Sequence, residues 1–156
     1  MLTWRFEVPS GSQLVSISAR APEEKVASIG RVLGDRSVLY KYLNPNLLAI
    51  AVTTPAKSSL TIHLLDNVSG QIVYESKVHD IDTSKSVETQ VVENVVYWTY
   101  YSLGDSEGQS RGTRITVAEL YESSQKNEKY NAYVPPRQIL ITVRNGLHSM
   151  VCLLTL

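Results

Sequence analysis

The chain has 156 residues, fifteen basic and fifteen acidic, so its formal net charge is zero, and 43% of its residues are apolar. That length suits one domain with a sizeable core, and that composition excludes a disordered chain. Charges of both signs are interspersed, so no field favours nucleic acid or an anionic surface. Nine tyrosines, with plentiful valine, threonine and serine, tilt the class towards all-β. The single cysteine, Cys152, permits no internal disulfide and sits among apolar neighbours, as an inert thiol does. The opening MLTWRFEVPSG has no apolar signal-peptide core, so any targeting signal is expected to lie outside this sequence. No segment approaches the roughly 18 apolar residues of a membrane span.

In chain order, residues 3–8 read as a short strand stopped by Pro9-Ser10-Gly11. Residues 14–19 alternate weakly and form a second strand, and residues 20–28 are a polar loop carrying Pro22. The organising stretch is GRVLGDRSVLYKYLNPNLLAIAV, residues 30–52. Val38, Tyr40 and Tyr42 alternate there with Ser37, Leu39 and Lys41, the period of a half-buried strand. Asn44-Pro45-Asn46 breaks the run, and residues 47–52 follow as an apolar strand buried on both faces. Gly34-Asp35 supplies a tight turn, with Gly34 expected at positive φ. The expectation is an antiparallel pair, joined through Asn44 to Asn46, at the middle of a sheet.

Residues 53–59 are a turn-rich connection, and residues 60–65 and 71–78 are strands paired through the turn Asp66-Asn67-Val68-Ser69-Gly70. A polar loop over 79–86 precedes strands at 87–92 and 95–102. Residues 103–112 are a flexible loop, 115–121 a strand, 122–131 a polar stretch and 139–143 the last strand. Asn145-Gly146 is a turn before an apolar end.

The pattern repeats. Asn46-Leu47-Leu48-Ala49-Ile50 lines up with Asn94-Val95-Val96-Tyr97-Trp98, and Leu60-Thr61-Ile62 with Ile115-Thr116-Val117. A repeat of roughly 40–50 residues, each of about four strands, is the spacing of a propeller blade. LLDNVSGQIVYE resembles the repeat of quinoprotein-like propellers, its signature falling on Leu65, Asp66, Ser69, Gly70, Tyr74 and Glu75. The reading is all-β, with antiparallel blades of a β-propeller, about two of them, in an incomplete ring. Residues 1–29 would end a preceding blade, with Trp4 to Val8 as its return strand, and connect onward. Residues 30–78 would form one blade, and 79–156 a second blade with the C-terminal strands.

Residues 30–52 and the stretch HLLDNVSGQIVYES at 63–76 also resemble a specific family. So do VVENVVYWTYYS at 91–102, ITVAELYE at 115–122 and, more loosely, TVRNGLHSM at 142–150. Together they are similar to the lumenal propeller region of subunit 1 of the endoplasmic reticulum membrane protein complex. The resemblance implies a piece of a larger lumenal scaffold, membrane-associated through parts of the protein outside this chain. It implies as partners the other subunits of that complex and its client membrane proteins. It implies a complex that inserts and stabilises transmembrane segments, within which this subunit is a platform and no enzyme.

The residues themselves point to no catalytic centre and no cofactor. His63 lies mid-strand between Ile62 and Leu64, where a packed histidine is the plain reading, and His79, Asp80 and Asp82 lie in a polar loop without a second ligand cluster. Gly104, Gly108 and Gly112 lack the lysine and Ser/Thr of a phosphate-binding loop. A ligand-binding propeller with a site on its axis stands as the alternative, and it would need inward-facing charged clusters that the sequence lacks. Asn67-Val68-Ser69 fits the acceptor for N-linked glycosylation. Gly34, Asp35, Arg36, Lys41, Asn44 and Asn46 are expected to shape turns and meet partner subunits.

Overall fold

A computed structural model describes residues 4–36, 38–104, 110–122, 139–145 and 148–154, the last two segments as backbone. Its strands, in chain order, are β1 (Gln13–Ala19), β2 (Gly30–Val32), β3 (Val38–Tyr40), β4 (Leu47–Thr54), β5 (Ser59–Asp66) and β6 (Ile72–Val78). There follow β7 (Glu88–Val92), β8 (Val95–Ser102), β9 (Gly112–Glu122), β10 (Ile139–Asn145) and β11 (His148–Leu154). One sheet has the order β1-β4-β5-β6, a second β11-β10-β9-β8-β7, and β2 and β3 form a two-stranded sheet that an isolated bridge from Lys41 to Tyr121 joins to the second. Every pairing is antiparallel.

The sequence dictates which strands are central. In β4 the apolar run continues without alternation, and both faces are buried. Leu47, Ala49 and Ala51 join the main core, while Ile50 and Val52 join Leu65 in a smaller cluster beneath Trp4, Phe6 and Leu48. In β8 the period of two is complete. Val96, Trp98, Tyr100 and Ser102 are buried, and Val95, Tyr97, Thr99 and Tyr101 are only half-buried. The main core lies between the sheets, with Leu60, Ile62 and Leu64 of the first and Trp98, Ala118 and Leu120 of the second in one cluster.

The two sheets repeat one plan. Each begins with a strand, β1 or β7, followed by a three-strand meander, β4-β5-β6 or β8-β9-β10. The two first strands lie side by side, and the Ser16 and Thr89 hydroxyls meet at 2.8 Å. This is the arrangement of neighbouring blades in a propeller, and the fold is all-β as the repeat indicated. Asn46 and Asn94, equated by that repeat, each end just before the second strand of their sheet.

Four expectations are corrected. The organising pair is not a pair: β3 bonds to β2, while β4 lies between β1 and β5. Period-two alternation at residues 38–42 marks a strand but cannot name its partner. Gly34 is not among the residues with positive φ; Arg36 takes that role at φ 70°, and its N–H donates to Leu33 O at 3.0 Å. Residues 4–8 form no strand, and Trp4 and Phe6 cover the open face of the first sheet by side-chain packing instead. Strand β1, expected in the connection from a preceding blade, is the first strand of this sheet, and β11 adds a strand beyond the one expected to be last. Gly108, Gly146, Ser37 and residues 123–131 lie outside the described residues, as does the side chain of Cys152.

Candidate functional site

Gly34, Asp35 and Arg36 come together at the tip of the β2–β3 hairpin, an insertion between the first and second strands of the first sheet. Its register pairs Gly30 with Tyr40, Arg31 with Leu39 and Val32 with Val38, and directly opposed residues share a face. One face therefore carries Val32, Val38 and Tyr40, which are 71%, 42% and 51% exposed. Ile29 and Leu33 flank it and are exposed too. Glycine at position 30 suits this close approach, because a Cβ there would lie 2.6 Å from Val38 Cγ1 and 3.2 Å from Leu39 O, so that the exposed Val38 side chain would have to shift. The hairpin thus holds an apolar face open to solvent.

The opposite face is turned to the second sheet. Arg31 reaches Glu119 at 4.0 Å, and Leu39 is half-buried. At the base, Lys41 N–H donates to Ile29 O and Tyr42 N–H to Leu120 O, each at 3.0 Å. Lys41 Nζ then meets Glu93 Oε2 at 2.5 Å, with both side chains more than four-fifths buried. The other oxygen, Oε1, accepts Ala27 N–H at 3.0 Å. Glu93 N–H in turn donates to Glu24 Oε1 at 3.0 Å, and Arg20 Nε donates to Glu24 Oε2 at 2.8 Å. The hydrogen bond from Lys41, aided by that from Ala27, holds the Glu93 carboxyl below its ordinary pKa despite opposing desolvation.

Sequence reasoning named Lys41 as a candidate and did not name Arg20, Glu24 or Glu93, which the structure brings to it. The one local signal was Glu93-Asn94, two turn residues between strand patterns, and there Glu93 takes φ 50°. Asn94 is buried, and its Nδ2 donates to Leu120 O at 2.8 Å.

Asn44, Asn46 and Asn67 assemble at a second place, the corner where the chain enters β4. Asp66 is its hub. Its carboxylate accepts Asn44 Nδ2 at 2.7 Å, Val68 N–H at 2.9 Å, and Ser69 N–H and Oγ–H at 2.8 and 3.0 Å. Burial pushes the Asp66 carboxyl up, but these bonds outweigh it and leave its pKa below the ordinary value. Asn44 Oδ1 accepts Asn46 N–H at 2.9 Å, and Asn67 N–H donates to Asn46 O at 2.8 Å. Trp4 Nε1 donates to Asn67 O at 2.8 Å while its ring lies over Gly70, where a Cβ would come within 2.6 Å of Trp4 Cγ. Gly70 has φ 72°, so glycine is needed there twice over.

His63 packs edge-on against Phe6, ring centroids 5.1 Å apart, beside a cavity of about 320 Å³ that Trp4, Pro9 and Ile72 also line. Burial lowers the His63 pKa, opposed by Glu75, whose Oε2 lies 3.2 Å from Nδ1. In the 79–86 loop Asp82 accepts Ser84 N–H and Oγ–H, and Asp80 has φ 57°, both turn-making roles. Among the described residues no three His, Cys, Asp or Glu side chains converge as a metal site, and no helix is long and apolar enough to cross a membrane.

Comparison with known proteins agrees with this architecture. The family model described as ER membrane protein complex subunit 1, second beta-propeller, matches residues 1–143. Subunit 1 of the ER membrane protein complex from Schizosaccharomyces pombe is 38% identical over 129 residues, covering 83% of this chain and 14% of that protein. Its counterpart from Xenopus laevis is 35% identical over 136 residues, covering 83% and 13%. That from Saccharomyces cerevisiae is 33% identical over 130 residues, covering 81% and 16%. The chain thus spans about one-seventh of the length of the curated relatives it matches.

Proposed function

The chain belongs to the family of ER membrane protein complex subunit 1, in its second β-propeller, and from this we propose that it is a non-catalytic scaffold module of such a complex. It holds two blades in fixed relation and presents the β2–β3 hairpin to a neighbouring subunit. The relatives are named as subunits of a membrane complex, so other subunits are its expected partners, with client membrane proteins beyond them. The proposed setting is the endoplasmic reticulum lumen, with membrane attachment through other parts of the protein. Insertion and stabilisation of transmembrane segments is the proposed task of the whole complex, to which this module contributes rigidity and contact surface.

The observation that carries this reading is the exposed face of Val32, Val38 and Tyr40, on a hairpin whose opposite side is fastened by Lys41 to Glu93. A loop serving only as a connection gains nothing from an apolar face, whereas a docking element needs both the face and the fastening. The test is photo-crosslinking. A photoreactive amino acid at Val32 of the full-length protein in native membranes should yield adducts with another subunit. The same probe at Val68, on the β5–β6 turn, serves as comparison. Adducts equal at the two positions, or none at Val32 while the complex remains assembled, would count against the hairpin as the docking element.

A further inference from the structure

We infer that Asn67 carries an N-linked glycan, and that it is attached before the β5–β6 turn closes; this rests on the lumenal reading proposed above. Asn67-Val68-Ser69 supplies the acceptor amide and the hydroxyl two residues on. All three residues are exposed at the end of a hairpin, away from the inter-sheet core, so a bulky glycan there displaces none of the described residues. The backbone of Asn67 is fully engaged, through Asn46 O and Trp4 Nε1, while its side-chain amide makes no hydrogen bond among the described residues.

In the reaction, Asn67 Nδ2 attacks the anomeric carbon of an oligosaccharide linked to a lipid diphosphate. The carbon–nitrogen bond forms as the bond from that carbon to the phosphate oxygen breaks. The lipid diphosphate leaves, and the amide proton passes to a base of the membrane-bound oligosaccharyltransferase. That enzyme must reach both the amide and the Ser69 hydroxyl. In the closed turn the hydroxyl is committed: Ser69 Oγ donates to Asp66 Oδ1 at 3.0 Å and accepts Gln71 N–H at 3.2 Å. Trp4 adds a lock from 63 residues earlier, a residue made well before the acceptor. Modification and closure of the turn therefore compete, and the glycan has to be added to the open chain.

The experiment uses the full-length protein in cells, carrying a flexible acceptor tag fused next to this chain, with glycopeptide mass spectrometry before and after endoglycosidase treatment. A glycopeptide containing Asn67, absent in Asn67→Gln, is the expected result. A modified tag with Asn67 unoccupied in the wild type overturns the site. An unmodified tag overturns the lumenal reading and the site with it, so the two failures are told apart. For the timing, solubilised transferase should modify a peptide of residues 60–78 and leave the folded, unglycosylated protein unmodified. Equal modification of both overturns attachment before closure.

Discussion

Lys41 and Glu93 stand 52 residues apart in sequence, and their contact at 2.5 Å fastens the insertion of the first sheet to the β7–β8 turn of the second. Both side chains are largely buried, and Glu93 uses both its oxygens, so losing the lysine leaves a carboxylate without its main partner. Lys41→Met should therefore cost about 1–3 kcal/mol, between the ranges for exposed and fully buried pairs. The melting temperature should fall, and a cycle with Glu93→Gln should show that the two changes are not additive. Additive effects would mean that the pair does not couple hairpin and sheet.

Gly70 and Gly34 should respond in opposite ways. Gly70→Ala places a Cβ 2.6 Å from Trp4 Cγ at a backbone φ of 72°, and should cost roughly 1–3 kcal/mol through strain and loss of the ring contact. Trp4 would loosen, and with only two tryptophans in the chain, and Trp98 fully buried, fluorescence quenching reports on it directly. At Gly34 a Cβ meets nothing within 4 Å, so Gly34→Ala should stay within about 0.5 kcal/mol of wild type. A large loss there would restore the turn role first expected of that glycine.

Much of the fold was legible, and where it was not the cause is specific. The runs at 47–52 and 95–102, and the turn ending at Gly70, are local patterns, and each became the element it indicated, β4 running two residues further into the expected connection. Partner choice is not local. The pairing of β1 with β4 closes over an insertion of more than twenty-five residues, and nothing in either strand announces it. The clamp was hidden for a related reason. Arg20, Glu24, Lys41 and Glu93 are ordinary scattered charges in the sequence, and only the packing of two sheets brings them together. The propeller signature at Asp66 was legible because its hydrogen bonds are nearly all within the same turn.

Trp98 tests the core between the blades. It is fully buried, and its Nε1 has no hydrogen-bond partner among the described residues. Trp98→Ala should cost about 3–5 kcal/mol, as large core truncations do. Trp98→Phe sacrifices no hydrogen bond and should cost clearly less. Equal losses in thermal melts would show that the indole N–H contributes to stability.

Acid should weaken the molecule in two stages. The folded His63 pKa lies below its ordinary value of 6.5, so its contribution is complete above 6.5 and is lost as pH falls through the folded value. Asp66 and Glu93 are likewise depressed, from 3.8 and 4.5, so theirs is complete above those values and fails only in stronger acid. His63→Phe should remove the first stage of the pH–stability curve and leave the second. A first stage that persists in this variant would belong to another group.

The central claim, a scaffold module that docks through its hairpin, is tested most directly by affinity purification of the full-length protein from detergent-solubilised membranes, with quantitative mass spectrometry of what accompanies it. The wild type should bring down the other subunits of the membrane complex. Val32→Asp with Val38→Asp changes only exposed side chains, so the protein should be present in normal amount while at least one subunit is lost several-fold. Recovery of every subunit unchanged from the hairpin variant, or of none from the wild type, would contradict it.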